Sequence, residues 1–162
     1  MSDLPETPNP ASEPVKDRTA QLLTFFLDNQ EYGVDILRVQ EIRGWSAPMP
    51  IPGSPSYIKG VINIRGDVVP IADLRERLSL PPLEYGATTA VVVLRVRYKN
   101  RDRIMGVVVD AMSDVTTVPG EALKPPPTFH DSNESLAKEI ATLEDKMITI
   151  LDVDCVFGDR AA

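Results

Sequence analysis

The chain has 162 residues, 43% of them hydrophobic, which is enough apolar material for one ordinary domain or two very small ones. Its 17 basic and 24 acidic side chains leave a net charge of −7, so it has no global attraction for phosphate backbones and nucleic-acid binding is not expected. No apolar run approaches the roughly 18 residues of a membrane span, and the single cysteine (Cys155) and single histidine (His130) exclude an intrachain disulfide, a cysteine-based zinc site and a paired-histidine metal site.

Met1 to about Thr19 carries four prolines among acids and small polar residues and reads as a disordered tail. It has no basic region followed by an apolar stretch and is not read as a secretory signal. The expectation is a reduced, cytoplasmic protein with a folded region over 20–159, without direct membrane insertion.

Short apolar segments separated by turn residues begin at Leu22. Leu22–Leu27 reads as a strand, Asp28–Glu31 as its turn and Tyr32–Ile36 as the return. Gln40–Trp45 extends that strand after a bend. The segment APMPIPGSPS is a Pro-rich crossover that is neither helix nor central strand. Gly60–Ile64 and Val68–Ala72 form a hairpin around Arg65-Gly66-Asp67, and Asp73 caps a short helix, Leu74–Leu78. Ala90–Val96, a β-branched run, is the next strand. Lys99–Asp102 is its turn, and Ile104–Val109 returns. Pro119–Phe129 is a second Pro-rich connection. Ile140–Leu143 and Met147–Leu151 form the last hairpin, and Asp152 caps the helix Val153–Phe157.

The halves share a grammar. Tyr32–Ile42 aligns with Met105–Val115 at an offset of 73, superposing Gly33 on Gly106 and Glu41 on Asp114. Val69–Leu74 aligns with Ile148–Val153 at an offset of 79, superposing Asp73 on Asp152. The reading is two approximate repeats, 21–86 and 88–158. Each is a run of short strands that avoids open edges by curling into a small barrel, and the two share an apolar seam with a groove at its margin.

Signatures of catalysis are absent: no Gly-rich phosphate loop, no GxSxG elbow and no HExxH. The carboxylates fall at turns and helix starts, where acids have ordinary structural roles. Neither a cofactor nor a metal is expected. His130 is the one candidate imidazole base and lies in a Pro-rich loop. The Arg65-Gly66-Asp67 tripeptide is turn chemistry rather than an adhesion motif. Composition leaves Arg65 open as a solvated turn residue or a partner-contact anchor. Val39 is equally open as core or surface; it is left near the surface if Ile36, Leu37 and Ile42 supply the core of its segment. Trp45 reads as a lid over the core, and Met105, Met112 and Met147 as fillers of core gaps. Lys124–Pro127 reads as a rigid connector.

Three segments, EYGVDILRVQEIRGW, YIKGVINIRGDVVPIADLR and GVVVDAMSDV, closely resemble the CheW family of chemotaxis coupling proteins, in order and over about Gln21–Phe157. The resemblance implies an all-β fold with short helices: two small five-stranded SH3-like β-barrels packed on a shared hydrophobic core. It implies a non-enzymatic adapter that bridges the cytoplasmic tip of methyl-accepting chemotaxis receptors to the regulatory domain of the histidine kinase CheA. Coupling protein and kinase would alternate in rings within membrane-associated arrays, with other copies of the coupling protein as further neighbours. The receptor- and kinase-binding positions it implies are Val39, Glu41, Ile42, Gly60, Arg65, Val91 and Val115, with Phe129 near a ring contact. The kinase's own regulatory domain and CheV share the fold. The first would need catalytic and dimerisation domains and the second a receiver domain, none of which this sequence holds.

Overall fold

The computed structural model describes residues 19–127 and 136–157. Eleven strands and two short helices lie within them: β1 (Thr19–Leu27), β2 (Gln30–Asp35), β3 (Val39–Gly44), β4 (Ile58–Ile64), β5 (Asp67–Asp73), α1 (Leu74–Arg77), β6 (Ala90–Tyr98), β7 (Arg101–Val109), β8 (Ala111–Pro119), β9 (Leu123–Lys124), β10 (Ala137–Thr142), β11 (Met147–Leu151) and α2 (Val153–Phe157). Asp73 and Asp152 cap the two helices as expected. Asp73 Oδ1 accepts from the Arg75 and Glu76 amides, and Asp152 Oδ1 from the Asp154 and Cys155 amides. Three hairpin turns place two consecutive residues at positive φ: Asp28-Asn29, Arg65-Gly66 and Lys99-Asn100. That backbone matches the twist of the strands it joins.

The strands form two curled sheets, each an SH3-like barrel. One has the order β8-β1-β2-β11-β10-β9, and the other β3-β6-β7-β5-β4. The first has a sixth, two-residue strand beyond the five expected. Neither sheet is one half of the chain, because each draws strands from both halves. The chain leaves the first sheet at the 3-10 turn Ile36–Arg38, so β3 does not continue β2 but pairs with β6 in the other sheet. The sequence pattern assigns no element to Ala111–Pro119. There β8 pairs with β1, where the exposed polar residues of the strand had blurred its alternation.

Replacing each strand by its counterpart in the other half converts one order into the other. β1, β2, β3, β4 and β5 exchange with β6, β7, β8, β10 and β11, and only β9 lacks a partner. The parallel contacts obey the same exchange: Gly33 stands opposite Ile150 on β11, and Gly106 opposite Ile71 on β5. The glycine is a packing requirement at the second of these. A Cβ on Gly106 would approach Ile71 Cδ1 to 2.5 Å and Val91 Cγ1 to 2.9 Å.

Alternation along β6 explains its unbroken apolar run. Val91 and Val93 fill the interior of one barrel with Ile64, Val69, Ile71 and Val108. Val92, Leu94 and Val96 point the other way, into a core shared with Leu23, Phe25, Leu27 and Val34 of the other barrel. A strand buried on both faces needs apolar residues at every position. The second barrel's own interior holds Leu22, Val118, Leu123, Ala141, Ile148 and Ile150. Each fully buried Val or Leu contributes about 1.5–3 kcal/mol, so the shared core welds the barrels into one cooperative unit. Cys155 is buried, and Trp45 covers a barrel end against Tyr85, with ring centroids 4.0 Å apart. Met147 does not fill a core gap; it is exposed, because alternation on β11 turns Ile148 and Ile150 inward instead.

A buried cation ties the barrels at one end. Arg75 of α1, itself 7% exposed, lies 3.1 Å from Asp28 Oδ1 in the β1–β2 turn and 3.3 Å from Asp110 Oδ1 between β7 and β8, and donates to the Pro81 carbonyl. Arg38, between the sheets elsewhere, forms a two-pronged bond to Asp154 of α2 at 3.1 and 2.7 Å.

Candidate functional site

The strand β3 is an edge of its sheet and carries three expected contact residues. A bulge at Gln40 puts two β3 residues against one β6 step, so Val39 faces Leu94 while Glu41 faces Val93. Val39, Glu41 and Arg43 are half-buried, and Gln40 and Ile42 are exposed. Val39 packs against the rim of the shared core, which settles its position between the two alternatives. Leu37 and Ile42 are 73% and 47% exposed, so neither supplies the core of the segment. The 3-10 turn rotates Leu37 outward, and edge-strand alternation does the same for Ile42.

Curling of the sheet brings the β4–β5 hairpin tip to β3, although the two lie at opposite edges of the strand order. Arg65 Nη2 stands 2.6 Å from Glu41 Oε1, and Arg43 Nη1 lies 3.8 Å from Glu41 Oε2. The Arg65 side chain is 70% exposed, so Glu41 aims it without removing it from solvent. Arg65 itself has φ 51° in a two-residue turn that the Asn63 side chain braces through the Gly66 amide at 2.8 Å. The left-handed conformation costs a non-glycine residue about 1–2 kcal/mol.

Gly60 and Val91, expected on the binding surface, are both buried. Gly60 is buried at φ 145°, directly under the crossover, where any Cβ would run into the Met49 carbonyl oxygen. Val91 is 3% exposed and faces the barrel interior. Val115 is 53% exposed, but on β8, an edge strand of the other sheet. Phe129 lies outside the described residues, as does His130.

Sequence reasoning missed two residues beside Arg65. Arg43 was legible from period-two alternation, which puts it on the face of Glu41. Val68, 70% exposed, follows the turn and must point outward once Val69 and Ile71 point in. Two arginines are thus held on one carboxylate, and Ile42 on β3 and Val68 on β5 are exposed apolar side chains of the same sheet. This is the chemistry of a protein interface, an apolar contact with a charged edge.

Two clefts, about 680 and 630 Å³, open elsewhere. Polar groups in both serve the fold. In the larger, Arg38 pairs with Asp154, Asp35 accepts from the Leu37 amide and Asp152 caps α2. In the smaller, Lys59 pairs with Glu76, and the Tyr85 hydroxyl donates to Asp73 Oδ2 at 2.7 Å. Burial and then the Asp73 carboxylate push the Tyr85 hydroxyl well above its ordinary range, so it remains a proton donor. Neither arrangement pairs a nucleophile with a base. Among the described residues, no helix is long and apolar enough to cross a membrane.

Comparison with known proteins agrees with this architecture. The family model for the CheW-like domain matches residues 21–161. The chemotaxis protein CheW of Klebsiella aerogenes is 40% identical over 138 residues, covering 83% of this chain and 79% of that protein. A probable chemotaxis protein CheW of Rhizobium etli is 37% identical over 140 residues, covering 86% and 88%. The crystal structure of the scaffolding protein TtCheW from Thermoanaerobacter tengcongensis superposes with a TM-score of 0.77 at 26% identity, covering 86% of this chain and 93% of that one. With a fold of two interleaved barrels and a match over nearly all of its length, the chain belongs to the CheW-like domain family of chemotaxis scaffold proteins.

Proposed function

We propose that this chain is a non-enzymatic adapter that couples the cytoplasmic tip of methyl-accepting chemotaxis receptors to the regulatory domain of the histidine kinase CheA. It works in the cytoplasm, recruited to membrane-associated receptor arrays, with further copies of the coupling protein as ring neighbours. The observation that carries this reading is the exposed Arg65, aimed by Glu41, on a member of the family.

Receptor tips are helical hairpins, so recognition is by apolar anchors with a few orienting polar contacts. Val39 and Ile42 supply apolar area. Arg65 offers a planar fork of donors and, with Glu41, rejects partners of the wrong charge. A contact of about 800 Å² per partner or less gives modest affinity singly. Repetition in an array supplies avidity through effective concentration. Kinase control passes through rigid interfaces as a coupling energy of about 1–3 kcal/mol, and the shared core supplies the rigidity. Phe129 belongs to a ring contact in this scheme: Phe129→Ser leaves binary receptor binding intact and weakens extended arrays.

The test is co-sedimentation with receptor-containing membranes and CheA. The chain pellets with both components and Arg65→Glu, folded by circular dichroism, stays in the supernatant. A wild-type chain that remains in the supernatant, with active receptor and kinase present, contradicts the reading.

A further inference from the structure

The hairpin that joins β6 to β7 extends beyond its neighbours. Pairing of β6 with β3 stops at Leu94, and pairing of β7 with β5 starts at Gly106. From Arg95 to Met105 the two strands pair only with each other, through Arg95–Ile104, Val96–Arg103, Arg97–Asp102 and Tyr98–Arg101. The base of this two-stranded ribbon packs on the molecule, with Val96 buried and the Arg97 amide donating to Asp154, and its tip around Tyr98–Arg101 extends past the neighbouring strands.

Its charge is opposite to that of the molecule. Residues 95–103 hold five basic side chains and one acid, +4 in a chain of −7, so the rest of the chain carries −11. The cations also differ in their surroundings. Ion pairs elsewhere engage Arg38, Arg43, Lys59, Arg65, Arg75 and Lys146, whereas Arg97, Arg101 and Arg103 enter none of them. All three are exposed. Arg103 lies over the Tyr98 ring at 4.8 Å from its centroid, with Lys99 Nζ at 5.4 Å. Cross-strand pairing sets Arg101 and Arg103 on the Tyr98 face and Arg97 on the other. The forks therefore present from both sides of a narrow tip.

We propose that this ribbon is a docking site for an acidic polypeptide segment of a protein partner, separate from the Glu41–Arg65 surface. Planar guanidinium forks on a rigid ribbon suit carboxylates, which they bind in two-pronged fashion. Asp102 at the tip and the −11 carried by the rest of the molecule disfavour extended polyanions. A DNA duplex or an anionic bilayer reaching the tip brings other acidic surface within a Debye length of about 8–10 Å. A short acidic segment does not. Cations on a projecting edge also discourage strand-to-strand aggregation, but that role alone predicts no saturable ligand.

The inference does not depend on the adapter reading, and its test uses the isolated chain. A dye-labelled peptide of twelve glutamates is titrated by fluorescence anisotropy, beside a DNA duplex of similar charge and phosphatidylserine vesicles. Wild type binds the peptide saturably and more tightly than duplex or vesicle. Arg101→Glu/Arg103→Glu, with an unchanged melting temperature, loses at least about tenfold and gains affinity for a twelve-lysine peptide. The neutral pair Arg101→Gln/Arg103→Gln, safer for folding, loses about threefold. Three results overturn the proposal: no saturable peptide binding up to about 1 mM, equal binding by wild type and both variants, or tighter binding of duplex or vesicle than of peptide.

Discussion

Arg65 and Glu41 are 24 residues apart and sit at opposite edges of one strand order, yet their side chains meet at 2.6 Å. The pair exists because the sheet curls. An open sheet of the same strands would leave the hairpin tip and β3 far apart. The contact is therefore both a product of the barrel and the means by which an exposed arginine acquires a direction.

Because Arg65 is largely exposed, its ion pair contributes at most about 1 kcal/mol to stability. Arg65→Glu lowers the unfolding free energy by no more than this in urea melts, while assembly with receptor and kinase is lost. Arg65→Asn separates strain from function: asparagine tolerates positive φ, so stability is unchanged or slightly raised while assembly still fails. A loss of several kcal/mol in Arg65→Asn would show that the residue is structural.

Val91 and Gly60 behave in the opposite way. Val91→Ala empties space in a barrel interior and costs about 2 kcal/mol. Gly60→Ala meets the Met49 carbonyl at a positive φ and costs at least about 2 kcal/mol. Val115→Ser, on an exposed edge, stays within about 0.5 kcal/mol. Urea denaturation of the three variants checks the order, and a Val91→Ala protein as stable as wild type would contradict the burial argument.

Arg75 is a buried polar tie between the barrels. Arg75→Ala strands Asp110 and costs about 3 kcal/mol. The double mutant with Asp110→Asn recovers about 1 kcal/mol or more of that loss in a thermodynamic cycle. Simple additivity would mean that the two groups do not interact.

Glu31 gives a pH signature. Burial raises its pKa, but hydrogen bonds from Thr24, Lys146 and Ser113 and the charge of Lys146 outweigh burial and hold it below its ordinary 4.5. The unfolded chain therefore binds the proton more readily. Glu31 contributes stability that is present above about pH 4.5 and is lost as pH falls through the lower folded value. Glu31→Gln flattens the acid limb of a plot of unfolding free energy against pH, and Lys146→Met flattens it in part. An unchanged acid limb in Glu31→Gln would contradict the assignment.

Much of the fold was legible because it rests on local signals. Asp73 and Asp152 announce their helices, paired turn residues announce three hairpins, and the β6 run announces a strand. The exchange of strands between barrels was not legible. It depends on the bend at Ile36–Arg38, which alternation does not register. For the site, residue type pointed to Arg65 and Glu41, but only the closed sheet joins them. Val91 was misplaced because an aliphatic residue in a strand looks the same facing a barrel interior or a groove. Hydrophobicity alone also leaves open whether Ile42 and Leu37 supply the core, since edge position decides their exposure.

Adapter action is tested most directly by reconstituting receptor-containing membranes with CheA and measuring kinase autophosphorylation with and without this chain. Addition of the chain raises kinase activity severalfold and makes it fall on attractant binding, while Arg65→Glu does neither. Kinase activity that ignores the wild-type chain, with receptor and kinase each shown to be functional alongside another coupling protein, would contradict the account.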